Sequence, residues 1–84
     1  MTYFVYILEN KAGTHYTGYT ADLERRIKDH NSGKSKWTKK RGPWRLVYKE
    51  VYPTKEDAYL RERQIKRLKA GRAFRKLLEN ANCK

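Results

Sequence analysis

Residues 16–31 read YTGYTADLERRIKDHN, and this stretch predicts a strand, a turn and a helix in succession. Thr20 or Asp22 can cap the helix, because each offers a side-chain oxygen to the first backbone N–H groups. At about 100° per residue, one side of the helix carries Leu23, Arg26, Ile27 and His30. An arginine and a histidine therefore occupy the side that should be buried, where charge is costly unless it is paired.

Two interpretations of Arg26 and His30 are open. In the first, the Arg26 side chain extends past the core to solvent, and His30 caps the end of the helix. In the second, both side chains point into an anion-binding cleft beside Tyr16. The first interpretation describes an ordinary amphipathic helix, whereas the second predicts a functional site.

The chain before this helix predicts two antiparallel strands. Residues 3–8 are aromatic and aliphatic, and their alternation places Phe4, Tyr6 and Leu8 on one face. A short loop with Gly13 follows, and residues 15–19 return with Tyr16 facing one way and His15 facing the other. Tyr6 and Tyr16 are then either a pair of core aromatics or part of a site. We interpret His15 as a surface residue.

These motifs resemble those of the GIY-YIG nuclease superfamily, which is named for two short motifs on adjacent strands. Phe4-Val5-Tyr6 stands in place of the first motif and Tyr16-Thr17-Gly18 in place of the second. The family's arginine lies ten residues beyond the second tyrosine, which here is Arg26, and a histidine often follows four residues later, here His30. The resemblance covers residues 3–68. It is closest to small stand-alone members similar to the nuclease domain of the excision-repair endonuclease subunit.

The sequence departs from the family pattern at two points. Phe4 replaces the glycine of the first motif. An asparagine found late in some nucleases has only Asn80 or Asn82 as a counterpart, in a tail that we expect to fray, so we do not carry it over.

Composition predicts one domain of 84 residues, with a core at about 3–79, and an anionic partner. The net charge is +12, from 21 Lys and Arg against 9 Asp and Glu. Nucleic acid is the first candidate, and an anionic membrane surface is the second. The longest apolar run, residues 3–8, is too short for a membrane span or a signal peptide. The single cysteine, Cys83, excludes a disulfide framework. We therefore expect a cytoplasmic protein without a membrane segment.

A long basic loop follows the first helix, at residues 31–43. We call residues 34–41 the basic segment; around Trp37 it carries Lys34, Lys36, Lys39, Lys40 and Arg41. In one interpretation the segment is solvated and Trp37 folds back on the core. In the other it grips phosphates, and Trp37 stacks on a base or sugar.

The rest of the chain predicts a strand and two helices. Residues 44–52 form a third strand, with Trp44, Leu46 and Tyr48 on one face, and Thr54 caps a helix that runs to about Lys69. A third short helix carries Phe74, Leu77 and Leu78 at helical spacing. The predicted fold is α+β, a three-stranded antiparallel sheet flanked by helices in the order β-β-α-β-α-α.

Glu62 falls inside the predicted buried stripe of the second long helix, between Ala58 and Ile65. A carboxylate in that position requires a partner. The partner is either Arg26 or another basic residue, or a hard cation such as Mg²⁺. The superfamily places its one metal-binding glutamate on a helix after the third strand, and the resemblance puts that ligand at Glu62.

The resemblance implies hydrolysis of DNA phosphodiesters with Mg²⁺ or Mn²⁺, in DNA repair or on selected DNA structures. Tyr6 or Tyr16 would accept the proton of the attacking water, with Arg26, His30 and the hydrated metal lowering the pKa of that phenol. Arg26 would stabilise charge on the phosphate, and Glu62 would hold the metal. A separate protein partner could supply specificity. The alternative is a non-catalytic module that binds nucleic acid, because the charge alone supports binding equally well.

Overall fold

The structure, a computed structural model, describes residues 2–33, 42–68 and 71–82, with side chains as far as Glu79. The basic segment, with Lys34, Lys36, Trp37, Lys39, Lys40 and Arg41, lies outside the described residues. The elements are β1 (Tyr3–Glu9), β2 (His15–Thr20), α1 (Leu23–Ser32), β3 (Arg45–Tyr52), α2 (Lys55–Arg67) and α3 (Arg72–Asn82). The predicted α+β fold and its element order are confirmed. Both pairings are antiparallel, and the strand order is β2-β1-β3.

The central strand β1 supplies the core on both faces of the sheet, which explains its continuous run of apolar residues. Val5 and Ile7 are fully buried on one face, where they pack with Ala58 and Ile65 of α2 and with Phe74 of α3. The alternate residues of β1 lie on the other face, with Trp44 and the apolar residues of α1, in a cluster of Tyr6, Leu8, Tyr16, Leu23 and Ile27. The sheet therefore separates α1 from α2 and α3.

A β-bulge in β3 changes the predicted facing of that strand. Ile7 pairs with Tyr48, whereas the next residue of β1 pairs with Leu46, so Val47 is the extra residue. Trp44 consequently packs on the α1 side and Tyr48 on the α2 side. The prediction that Trp44, Leu46 and Tyr48 share one face was wrong, because alternation fails at a bulge.

Local capping fixes both ends of α1. The Asp22 carboxylate accepts a bond from the Arg25 backbone N–H at 3.2 Å, which identifies it as the N-cap. Thr20, the other candidate, instead accepts a bond from the Asp22 backbone N–H at 3.0 Å. Gly33 ends the helix in the left-handed conformation, with φ of 86°, which costs glycine little.

A side-chain bond joins the end of α1 to the start of β3. Asn31 Nδ2 donates to the Trp44 carbonyl at 3.1 Å, and the Trp44 backbone N–H donates to Asn31 Oδ1 at 2.6 Å. The amide thus pairs with the Trp44 backbone as a neighbouring strand would. The two ends of the loop that contains the basic segment are held to each other.

A polar network fastens α2 to the sheet. The Arg61 guanidinium donates to both oxygens of the Glu50 carboxylate, at 2.9 and 3.1 Å, and the hydroxyls of Tyr48 and Tyr52 donate to the same group. Burial alone would raise the pKa of Glu50, but the bonds from Arg61 and the two tyrosines outweigh it and lower that pKa. This network fixes the rotation of α2 about its axis. Because Glu62 follows Arg61 directly, the same rotation decides the side of α2 on which Glu62 lies.

Two predictions about the periphery were wrong. His15, interpreted as a surface residue, is half-buried: its Nε2 lies 2.9 Å from Glu9 Oε2, and its ring meets Phe74 edge-on. The tail that we expected to fray is helical as far as Asn82, because α3 packs against β3.

Among the described residues, no helix is long and apolar enough to cross a membrane.

Candidate active site

The buried centre of the α1 face is a contact between Tyr6 and His30. Each residue is 1% exposed. The Tyr6 hydroxyl and His30 Nε2 lie 2.9 Å apart, within hydrogen-bond distance. His30 reaches this position from the third turn of α1, two residues before the helix ends. It therefore does not cap the helix, as one interpretation of the sequence had it.

Burial controls the ionisation of both groups. Burial, assisted by the Arg26 charge, lowers the pKa of His30, so the imidazole is neutral at pH 7. Burial also raises the pKa of Tyr6 to about 12, although the interaction with Arg26 opposes that rise. Arg26 does lower the pKa of this phenol, as expected, but desolvation of the phenolate is the larger effect, so the net shift is upward.

Tyr16 and Arg26 complete a cluster around this contact, which we call the tyrosine cluster: Tyr6, Tyr16, Arg26 and His30. The ring centroid of Tyr16 lies 4.6 Å from that of His30 and 6.2 Å from that of Tyr6. Arg26 is half-buried, and interaction with the Tyr6 hydroxyl raises its pKa. Arg26 therefore extends along the tyrosines and is charged at any working pH. The cluster brings a fixed positive charge next to two phenols, one of them partly exposed.

Gly18 lets the two tyrosines approach β2. A Cβ atom at this position would lie 2.7 Å from the Tyr6 hydroxyl oxygen and 3.1 Å from a ring carbon of Tyr16. The first distance is shorter than any contact between such atoms, so one of the two rings would have to move. Gly18 is thus the residue of the second motif that makes room for both phenols.

We expect Gly18→Ala to displace the Tyr6 hydroxyl from His30, and to reduce the DNA cleavage that the resemblance implies more than it reduces stability. Overpacking of this size costs about 1–3 kcal/mol, and a displacement of about 1 Å at a reacting group can cost about 100-fold in rate. Thermal melting and cleavage assays measure the two effects. Gly13→Ala is the control for lost stability alone: a φ of 81° strains any side chain there, but nothing lies within 4 Å of the Cβ position, so the two tyrosines stay in place. Wild-type cleavage by Gly18→Ala would contradict this role for Gly18.

Glu62 comes near the tyrosine cluster from another helix and is not a member of that cluster. It is 8% exposed and lies on α2, the helix that packs on the opposite face of the sheet from Tyr16. Its Oε1 pairs with Lys66 Nζ at 3.0 Å. Its negative charge nevertheless contributes to the raised pKa of Tyr6, so the carboxylate lies within electrostatic reach of that phenol. The basic partner is Lys66, and not Arg26.

A single carboxylate of this kind fits a hard divalent cation that keeps most of its water. Among the residues that the structure describes, no three His, Cys, Asp or Glu side chains group as a metal cage would require. Mg²⁺ commonly binds through one or two carboxylates together with substrate phosphates and water. Glu62 would hold such a cation. Lys66 would then lose the Glu62 carboxylate as its partner or share that carboxylate with the cation.

Sequence reasoning missed two residues that shape this region. Lys66 follows Glu62 by four residues, the spacing at which helical ion pairs form, so that signal was present. Gly18 was noted only as part of a motif. Its contact with Tyr6 depends on the pairing of Tyr6 with Gly18 across the two strands, which becomes visible once the register is known.

Comparison with known proteins gives the family. A family model described as the GIY-YIG catalytic domain matches residues 2–75. The UPF0213 protein BH0048 of Halalkalibacterium halodurans is 54% identical over 69 residues, which are 81% of this chain and 73% of that protein. The UPF0213 protein SSP2268 of Staphylococcus saprophyticus is 48% identical over 65 residues, 76% of this chain and 79% of that protein.

A solved structure shows the same fold. The solution NMR structure of the UPF0213 protein BH0048 from Bacillus halodurans matches with a TM-score of 0.61 and 49% identity, and the match covers 94% of this chain and 84% of that chain. The matched segment of the family model contains both tyrosine motifs, Arg26, His30 and Glu62. With its fold and sequence both matched over most of its length, this chain belongs to the GIY-YIG catalytic domain family.

Proposed function

We propose that this protein is a divalent-metal-dependent endonuclease that hydrolyses phosphodiester bonds in DNA. The observation that carries the proposal is the tyrosine cluster, in a chain of a nuclease family. Binding of nucleic acid alone does not require a neutral histidine bonded to a buried phenol beside a half-buried arginine. Such a set is typical of sites that stabilise charge during a reaction.

We assign the general base to Tyr16. Tyr6 is buried, its hydroxyl is engaged with His30, and its pKa of about 12 leaves little phenolate at neutral pH. Tyr16 is partly exposed and its ring lies against the same imidazole, so solvent reaches this residue more readily than it reaches Tyr6. In this scheme Tyr16 accepts a proton from the attacking water, and Tyr6 and His30 hold Tyr16 in place.

Arg26 and Glu62 supply the electrostatic part of the reaction. The Arg26 guanidinium can bind two oxygens of the scissile phosphate and stabilise the charge that develops there. Glu62 would hold Mg²⁺ or Mn²⁺, which when bound stabilises the leaving oxygen. The basic segment, with Trp37, belongs to the proposal as a grip on flanking phosphates, and a protein partner could add specificity for sites of DNA repair.

The second candidate is a module that binds nucleic acid without cleaving it. The net charge of +12 and the raised pKa of Tyr6 both favour this alternative. One experiment separates the two: labelled branched, nicked and intact duplex DNA is incubated with the protein in Mg²⁺, in Mn²⁺ and in EDTA. We expect cleavage with metal that Tyr16→Phe abolishes. Binding to all three substrates without cleavage in either metal would support the binding module.

Binding itself should depend strongly on salt. If about five phosphates are neutralised, log affinity for duplex DNA should fall against log salt concentration with a slope of about −4 to −5. Titrations of one labelled duplex at several salt concentrations, in EDTA so that no cleavage occurs, measure the slope. The same slope for duplexes of unrelated sequence is expected, because phosphate contacts carry no sequence information. An affinity that does not change with salt would contradict electrostatic binding.

A further inference from the structure

One flank of α2 carries a shallow depression of about 390 Å³ that includes Glu62. We call it the α2 depression. It is lined by Tyr59, Glu62, Arg63, Lys66 and Arg67. These positions are three and four residues apart, so they lie along one side of the helix. Three of the five side chains are positive and one is negative, which favours an anionic ligand.

Two of the three cations of this depression, Arg63 and Lys66, are held in place by their neighbours. Arg63 donates to the Tyr59 hydroxyl at 2.9 Å, and its guanidinium carbon lies 5.7 Å from the centre of the Tyr59 ring. Lys66 is held by Glu62 at 3.0 Å. A guanidinium has five N–H donors, so one bond to a hydroxyl still allows it to bind a phosphate through two others. Prior ordering of Arg63 reduces the entropy that ligand binding would cost.

The depression borders the tyrosine cluster across the edge strand β2. Consecutive residues of that strand face opposite sides: Gly18 lies under Tyr6, and the Tyr19 ring meets the Tyr59 ring edge-on at 5.8 Å. Glu62 lines the depression and also acts on Tyr6 through its charge. The two places are therefore near enough that one nucleic-acid strand could contact both.

We propose that the α2 depression binds a backbone phosphate that flanks the scissile phosphodiester, with Arg63 and Arg67 as its contacts. This inference rests on the proposed function, since it places the flanking phosphate relative to the cleaved one. It assigns to α2 a share of substrate binding separate from that of the basic segment. The double substitution Arg63→Gln/Arg67→Gln removes both contacts and leaves Glu62 and Lys66 in place.

Salt titrations of duplex binding in EDTA test the assignment. Each phosphate that is no longer neutralised reduces the salt slope by about 1, so the double variant, which loses one phosphate, should lose about 1 from its magnitude. The matched control is Arg72→Gln/Arg75→Gln, which removes the same charge from exposed positions on α3. We expect the control to lose less than half as much. If the two variants lose the same amount of salt slope, DNA is attracted by the overall positive charge and not by this depression, and the proposed site is overturned.

A scan with neutral methylphosphonates locates the contact without any substitution in the protein. One linkage at a time is neutralised in the duplex. For the wild type we expect weaker binding when a linkage on one side of the cleavage position is neutral, and no such effect for Arg63→Gln/Arg67→Gln. The same weakening in both proteins would overturn the proposal. A wild type that binds and cleaves without this pattern refutes the depression alone, whereas a wild type that does not bind refutes the proposed function as well.

Discussion

Replacing Arg26 with alanine should lower the cleavage rate about 100- to 1,000-fold and leave the melting temperature near that of the wild type. The guanidinium is the fixed positive charge beside both phenols, and loss of one preorganised charge-stabilising donor costs a rate factor of that size. Arg26 is only half-buried, and the Tyr6–His30 contact does not pass through it. The measurement is a single-turnover cleavage rate at saturating protein, with a thermal melt of the same sample.

Two further variants separate the catalytic role of Arg26 from its charge and its packing. Arg25→Ala removes the same charge from the exposed neighbouring position and should cleave at nearly the wild-type rate. Arg26→Lys keeps the charge but loses the two-pronged donor, so it should recover only part of the activity. If Arg26→Ala melts well below the wild type and cleaves in proportion to its folded fraction, the side chain serves packing. That outcome would return Arg26 to the first interpretation of the sequence.

Replacing Glu62 with glutamine should abolish metal-dependent cleavage while DNA binding in EDTA stays nearly unchanged. The amide keeps the volume of the side chain but removes the anionic ligand that a hard cation requires. Contacts of Lys and Arg with phosphates remain, so binding persists. Cleavage across a Mg²⁺ titration, together with binding in EDTA, measures the two quantities.

The same substitution should cost little stability, because the partner of Glu62 is not a buried charge. Lys66 is 55% exposed, and an ion pair with so exposed a member contributes at most about 1 kcal/mol. For a domain of this size that corresponds to a fall in melting temperature of at most about 4–8 °C. Glu56→Gln, an exposed carboxylate in the first turn of the same helix, is the control and should leave cleavage unchanged. Cleavage by Glu62→Gln at the wild-type rate would rule out the metal role.

The sequence predicted the parts of this fold that depend on local pattern. Helical spacing placed Arg26 and His30 on the inward side of α1, and strand alternation placed Tyr6 and Tyr16 on one face; the structure shows both arrangements. Such periodicity reports which way a side chain points. It does not report how far a group is removed from water, so it could not show that burial of Tyr6 outweighs Arg26 and raises the pKa of this phenol.

The missed features each depend on a relation between elements distant in the chain. The bulge at Val47 exists only as a mismatch between β3 and β1, so alternation within residues 44–52 could not reveal it. The position of Glu62 on the far side of the sheet from Tyr16 follows from the face on which α2 packs. A resemblance gives the residues of a site and not the side of the sheet from which each one comes.

The bond between Asn31 and the Trp44 backbone has a consequence for how this protein can be altered. The bond holds the two ends of the intervening chain, at Asn31 and Trp44, together next to His30. It does so whatever residues lie between them. The entropy of closing a loop rises only slowly with its length. Exchange, shortening or extension of the basic segment should therefore leave the two anchored ends in place and require no change in the sheet.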